Sequence, residues 1–287
     1  SGHRPACRSC HSRPRMSEKG RFRQFLSRLG PGLVTGAADD DPSGIGTHSQ
    51  VGAQFGYGLS WTFLFSFPLM VAIQEVAAEI GRVTGAGIAR NLRRHYPRWL
   101  LVSMVSLLLF ANIINLGADL AAMGAAVGLL IGGPLGLYTL LFGIVCVAAE
   151  IWMSYERYSA ILKWTTLSLF AYVAVVMVAQ VPWGEALTSL VVPRIEWTGA
   201  YATAVVAILG TTISPYLFFW QAGQEIEEQK RHHVKPLCLT PKEAGPELKR
   251  IRIDTLTGMA FSSIVSLAIV FATAATLHAN GVRDIET

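Results

Sequence analysis

The stretch Ala37-Ala38-Asp39-Asp40-Asp41-Pro42-Ser43-Gly44-Ile45-Gly46 sets three carboxylates, a proline and two glycines among apolar neighbours. Proline removes a backbone donor and interrupts the helical ladder. Freed carbonyls at membrane depth are tolerated only inside protein or along a cavity. An aspartate at the centre of a spanning helix costs roughly 2.5–3.5 kcal/mol. Three of them facing lipid would cost about 8–10 kcal/mol on the same scale. They must therefore face a protein interior or a water-filled space. The stretch reads as half of a cation site on a broken helix.

Outward from it, the chain is 52% hydrophobic and only 15% charged, where soluble chains average about 25% charged. With a mean hydropathy of +0.41, this indicates an all-α, multi-pass membrane protein in a lipid bilayer. The net charge of +5 does not imply nucleic acid, because the basic residues lie between apolar runs. Seven spans are expected: the broken first helix over 29–52, then Leu59–Ile80, Leu100–Ile131, Tyr138–Tyr155, Leu162–Val181, Tyr201–Ala222 and Thr255–Leu277. Each has about the 20 residues needed to cross the hydrocarbon core. With that count, 22 of the 24 Lys/Arg fall on one side, leaving Arg194 and Arg283 on the other. Positive loops stay in the cytoplasm, so the N-terminus is expected inside and Thr287 outside, in a cell inner membrane.

Residues 1–28 read as a basic cytoplasmic tail without the apolar core of a signal peptide. Met16 reads as a natural start and residues 1–15 as upstream sequence, leaving 29–287 as the transmembrane transporter domain. Cys7-Arg8-Ser9-Cys10-His11 matches the c-type haem attachment pattern. A haem would also need export of the tail and an axial ligand, so the match reads as chance and no cofactor is expected. With Cys146 and Cys238 these cysteines make no disulfide framework. Neither a phosphate loop, a nucleophile elbow nor a zinc-protease helix occurs, so no enzyme is expected.

The sixth span carries Gly210-Thr211-Thr212-Ile213-Ser214-Pro215-Tyr216, a second candidate for an unwound helix. Gly/Pro-interrupted segments at corresponding positions of two halves point to a transporter binding site. Spans one and six correspond if the repeat is five helices long, and an odd repeat length inverts the second copy.

Gly30-Pro31-Gly32 before the first break, Asp41-Pro42 within it and Gln54-Phe55-Gly56-Tyr57 after it resemble the Nramp family of divalent-metal transporters. The resemblance runs through 29–287 and is strongest over 30–80. It implies a LeuT-type inverted-repeat fold, alternating access, and a metal held between the breaks of helices 1 and 6. The family has about eleven spans, so the chain is expected to be a fragment, incomplete at its C-terminus. By the resemblance, Asp41 matches the metal-binding aspartate and Thr211 the residue whose carbonyl faces the ion. The family's asparagine position is Gly44, its methionine position Ser214, and its histidine beside the proline Tyr216. The acidic pair of the third span reads Ala118 and Ala121, with Asp119 one position off.

A thioether favours transition metals, and Ser214 replaces it with a hard oxygen or with space. Gly44 lines a widened site without being a ligand. Mg²⁺ keeps several waters and takes one or two carboxylates, so Mg²⁺ and Mn²⁺ are favoured over Fe²⁺. The pattern is closest to the divergent Nramp-related magnesium transporters. Successive helical residues turn about 100° apart, so the three aspartates cannot all face one ion. Asp41, at the break, is the expected ligand. Asp39 and Asp40 are expected to line a vestibule, a proton path or a helix cap. Asp119, Tyr216 and Gln221 are further candidates for the path, and His48 reads as a helix-face residue. Glu75, Glu79 and Glu150, near span ends, are expected to be interfacial or to pair with loop arginines, and residues 226–252 to form a solvated loop. The alternatives are another small solute on the same architecture, a non-transporting fragment, or a membrane-anchored haem protein.

Overall fold

The computed structural model describes residues 31–285; the basic tail and its Cys7-Cys10-His11 motif lie outside them. The chain is helical in this order: α1 (Pro31–Asp39), α2 (Pro42–Phe55), α3 (Trp61–Thr84), α4 (Ile88–His95), α5 (Arg98–Ile131) and α6 (Leu135–Trp152). Then follow α7 (Tyr155–Val178), α8 (Trp183–Val191), α9 (Gly199–Thr212), α10 (Pro215–Arg231) and α11 (Ala244–Thr276). Among the described residues, each expected span is mostly helical. Five helical stretches among the described residues, including α9 with α10 as one, are long and apolar enough to cross a membrane. The first span is broken at Asp40-Asp41 into halves of 9 and 14 residues. The sixth is broken at Ile213-Ser214. Both second halves begin with proline at the first helical position, where its missing N–H costs nothing.

The two broken helices cross antiparallel, since α1 packs against α10 and α2 against α9. α11 packs along both α1 and α2 and makes the largest interface of the molecule. Its contact with α1 needs glycine. A Cβ on Gly36 would overlap the backbone of Gly258, and one on Gly32 would crowd that of Asp254. Gly32 and Gly36 lie one turn apart, the small-residue spacing that lets helix backbones touch in membranes. Beside this seam, Val51, Leu59, Phe63, Val176, Tyr201, Ile208 and Phe271 form the apolar core.

The expectation of a solvated loop over 226–252 is corrected. α10 runs on to Arg231 and α11 starts at Ala244, because the charges there pair with one another and extend the helices. Arg250 Nη2 donates to Glu225 Oε2 at 2.7 Å, and Arg82 Nε to Glu247 Oε2 at 3.1 Å. Asp254 Oδ2 accepts from the Gly32 N–H at 2.8 Å, tying the start of α1 into the same cluster. Glu225 is 1% exposed and Arg82 3%, so each charge depends on its partner. Glu75 meets an arginine as expected, Arg252 at 3.8 Å, but that arginine stands on α11 and not in a loop.

Gly36→Val should therefore destabilise the protein by about 3 kcal/mol or more, the upper range for overpacking against rigid backbone. Gly46→Ala, where an added Cβ meets nothing within 4 Å, should be neutral or stabilise by about 0.5–1 kcal/mol. Thermal unfolding in detergent compares the two.

Candidate metal site

Asp41 is the N-cap of α2, with φ −75° and ψ 165°. A carboxylate there accepts from the first free N–H groups and faces the positive end of the helix. Its Oδ1 accepts from the Gly44 N–H at 2.6 Å and the Ser43 hydroxyl at 3.0 Å. Its Oδ2 accepts from the Tyr216 hydroxyl at 2.8 Å and the Asn115 amide at 3.0 Å. Four donors from α2, α5 and α10 thus converge on one carboxylate, one for each lone pair.

Asp119 belongs to the same cluster. Its Oδ1 accepts from the Ser43 N–H at 2.9 Å and its Oδ2 from Asn115 Nδ2 at 3.2 Å. Asn115 precedes Asp119 by one turn of α5 and bridges the two carboxylates. Its Oδ1 lies 3.1 Å from Ser43 Oγ as acceptor. Neither Asp41 nor Asp119 has a Lys or Arg partner among the described residues. Two carboxylates and three neutral oxygen-bearing side chains, those of Ser43, Asn115 and Tyr216, make the donor set. Among the described residues no three His, Cys, Asp or Glu form a ligating group. The site offers oxygen alone, with two acids.

Other expected residues fall elsewhere. Gly44 supplies a backbone N–H, and a Cβ on it would lie 2.9 Å from Asp41 Oδ1. The Ser214 hydroxyl was expected to face the ion. It donates instead to the carbonyls of Thr211 at 2.7 Å and Gly210 at 3.0 Å, the back-bonding that mid-helix serines favour. It thereby occupies one lone pair of the Thr211 carbonyl. Thr211 Oγ1 donates to the Ile208 carbonyl and lies 3.4 Å from His48 Nε2. His48 is buried against Phe63, not on an open helix face.

Asp39 and Asp40 do not line a vestibule. Both are buried, Asp39 receiving the Ser262 hydroxyl at 2.5 Å and Asp40 that of Ser266 at 2.9 Å. The helical turn that aims Asp41 at α5 aims these two at α11. Gln221 is fully buried on α10, and neither amide atom has a partner among the described residues.

A cavity of about 760 Å³ descends to Pro42 and Ser43 from the level of Gln54 and Ala200. Small residues widen it: Gly46, Ala118, Ala121, Ala122 and Ala207 among its walls. Ala118 and Ala121 thus line the cavity, while Asp119 turns to the carboxylate cluster, which meets the cavity at Ser43.

Sequence reasoning missed Asn115 and Ser43. The one available signal was Asn115 standing one helical turn before Asp119, which puts both on one face of α5.

A family model described as natural resistance-associated macrophage protein-like (Nramp) matches residues 32–287. The chain is 27% identical over 273 residues to the divalent metal cation transporter MntH of Verminephrobacter eiseniae, covering 92% of this chain and 59% of that protein. It is 29% identical over 267 residues to the MntH of Klebsiella pneumoniae, covering 89% and 60%. The chain thus spans about three-fifths of the length of these relatives. A crystal structure of a mutant of the Eremococcus coleocola manganese transporter superposes with a TM-score of 0.74 at 18% identity, covering 92% of this chain and 54% of that one. That likeness shows the fold, the LeuT type.

The Tyr216 hydroxyl and a bound cation would compete for the same Asp41 lone pair. A hydrogen bond to a charged group contributes about 1.5–3 kcal/mol, so Tyr216→Phe should tighten Mn²⁺ binding by roughly tenfold or more. Titration followed by the electron paramagnetic resonance of free Mn²⁺ measures this. Weaker binding would make the hydroxyl oxygen itself a ligand.

Proposed function

The chain belongs to the Nramp family, and from that premise we propose that it carries the cation-binding half of a transporter of divalent metal ions. One observation carries the reading. Asp41 and Asp119 share a cluster built from both helix breaks and α5, with no cationic side chain among the described residues to balance them. A divalent cation supplies that balance. Charges of this kind within a membrane mark substrate paths.

The all-oxygen donor set favours hard ions. Two carboxylates, with waters completing the shell, suit Mg²⁺, and Mn²⁺ shares the preference for oxygen. Fe²⁺ ranks below both. The cavity has room for roughly two dozen waters at about 30 Å³ each, so an ion can arrive hydrated. Asp41 is the charged ligand. Asp119 and the Asn115 amide oxygen complete the protein's share once Ser43 turns away. The Thr211 carbonyl keeps a second lone pair for the ion. Alternating access rocks α1 and α10 against the remaining helices, opening the side closed by the Arg250 cluster.

The protein sits in the inner membrane with residues 1–28 in the cytoplasm and 29–287 as the membrane domain. The alternation of 22 basic residues on one side against 2 on the other supports this orientation.

Uptake of Mg²⁺, Mn²⁺ and Ca²⁺ into proteoliposomes carrying the full-length transporter, with internal pH recorded, tests the proposal. Mg²⁺ and Mn²⁺ should enter without acidification, and Asp41→Ala should lower uptake at least about tenfold, the loss of one charged ligand. Uptake that does not depend on Asp41 would refute it.

A further inference from the structure

Four arginines lie close together in the sequence without acidic partners among the described residues. Arg82, Arg194, Lys230, Arg231, Arg250 and Arg252 each lie within 4 Å of a carboxylate. Arg90, Arg93, Arg94 and Arg98 have no carboxylate partner among the described residues. All four lie within nine residues, on α4 and at the first position of α5, and all are exposed.

The local sequence explains their arrangement. At 100° per residue, Arg90, Arg93 and Arg94 fall on one face of α4 and Ile88 and Leu92 on the opposite one. The apolar pair is half-buried, on a helix that touches α3, α5 and α10. Asn91 then locks the helix to the end of α3. Its Nδ2 donates to Thr84 Oγ1 at 3.0 Å, the Ala86 carbonyl at 2.9 Å and the Gly87 carbonyl at 3.2 Å. The arginine face is therefore held at a set angle just past the end of one spanning helix and before the start of the next.

The flanking aromatics locate that level. Tyr96 is 53% exposed and Trp99 69% exposed. Exposed Tyr and Trp at the ends of spanning helices sit in the headgroup layer. A short amphipathic helix with a basic face and adjoining aromatics lies in the membrane interface. Arginine's planar fork matches phosphate geometry in two parallel hydrogen bonds.

We propose that the exposed face of α4, with Arg98 and Trp99 at the start of α5, binds the headgroups of anionic phospholipids. The charge complementarity is direct: four unpaired guanidinium groups, no acid between residues 80 and 118, and a phosphate layer at the same depth. The inference does not rest on metal transport and holds for either orientation in the membrane.

The test is native mass spectrometry of the purified chain in neutral detergent, titrated with phosphatidylglycerol or phosphatidylcholine. The chain should retain phosphatidylglycerol preferentially. R90Q/R93Q/R94Q should lower its affinity on the order of a hundredfold, since each basic group near an anionic surface is worth roughly fivefold. K230Q/R231Q, which removes two exposed basic residues that have acidic partners, should change it little. Helix content by circular dichroism checks that the triple variant is folded. Independently of that variant, brominated phosphatidylglycerol should quench a component of tryptophan fluorescence that Trp99→Phe abolishes. Equal retention of both lipids, an unchanged triple variant, absence of a Trp99 component, or displacement of the lipid by excess inorganic phosphate would each overturn the proposal.

Discussion

A carboxylate at membrane depth persists only when its lone pairs are met, because unsatisfied polar groups there cost several kcal/mol each. Asp41 meets this demand with four donors drawn from both helix breaks and from α5. The break before Pro42 frees the Ser43 and Gly44 N–H groups that receive Asp41 and Asp119. The break before Pro215 starts α10 beside the cluster, so Tyr216 reaches it from one residue into the helix. The long unbroken α5 brings Asn115 and Asp119 on one face. Remove the Asp41 carboxylate and the three elements lose their common partner.

The rest of the molecule is asymmetric about that point. Above it the cavity is lined largely by small residues and extends to the level of Gln54. Below it α1 is pressed against α11 through Gly32 and Gly36 and by the Ser262 and Ser266 hydroxyls on Asp39 and Asp40. Below that again, Arg82, Glu225, Glu247, Arg250 and Asp254 close the end where α1 begins. This side is thus held both by the close backbone packing of Gly32 and Gly36 on α11 and by hydrogen bonds and ion pairs, and only the latter can exchange partners with water.

The breaks were legible because proline's missing donor and fixed φ stand there among Asp, Ser, Thr and Gly, whereas Pro68, in an apolar setting, lies inside α3 without ending it. Five of the seven expected spans were legible from apolar length, while the broken first helix and α7 do not stand out by length and hydropathy. The ends of α10 and α11 were not, since Glu225 and Arg250 look like loop residues until their helices bring them together. Asn115 hid in an apolar run, and its importance comes only from its place one turn before Asp119. Ser214 misled because its type suggests a free hydroxyl, while a buried serine near a helix end donates to its own backbone. Asp39 and Asp40 share Asp41's chemistry, and only the partner helix decides their different roles.

Anomalous scattering from Mn²⁺ in crystals of the protein tests the central claim most directly. One peak is expected within inner-sphere reach of the Asp41 and Asp119 carboxylates, beside Ser43. A peak confined to the cavity mouth, or one beside Asp39 and Asp40 with none at Asp41, would contradict it.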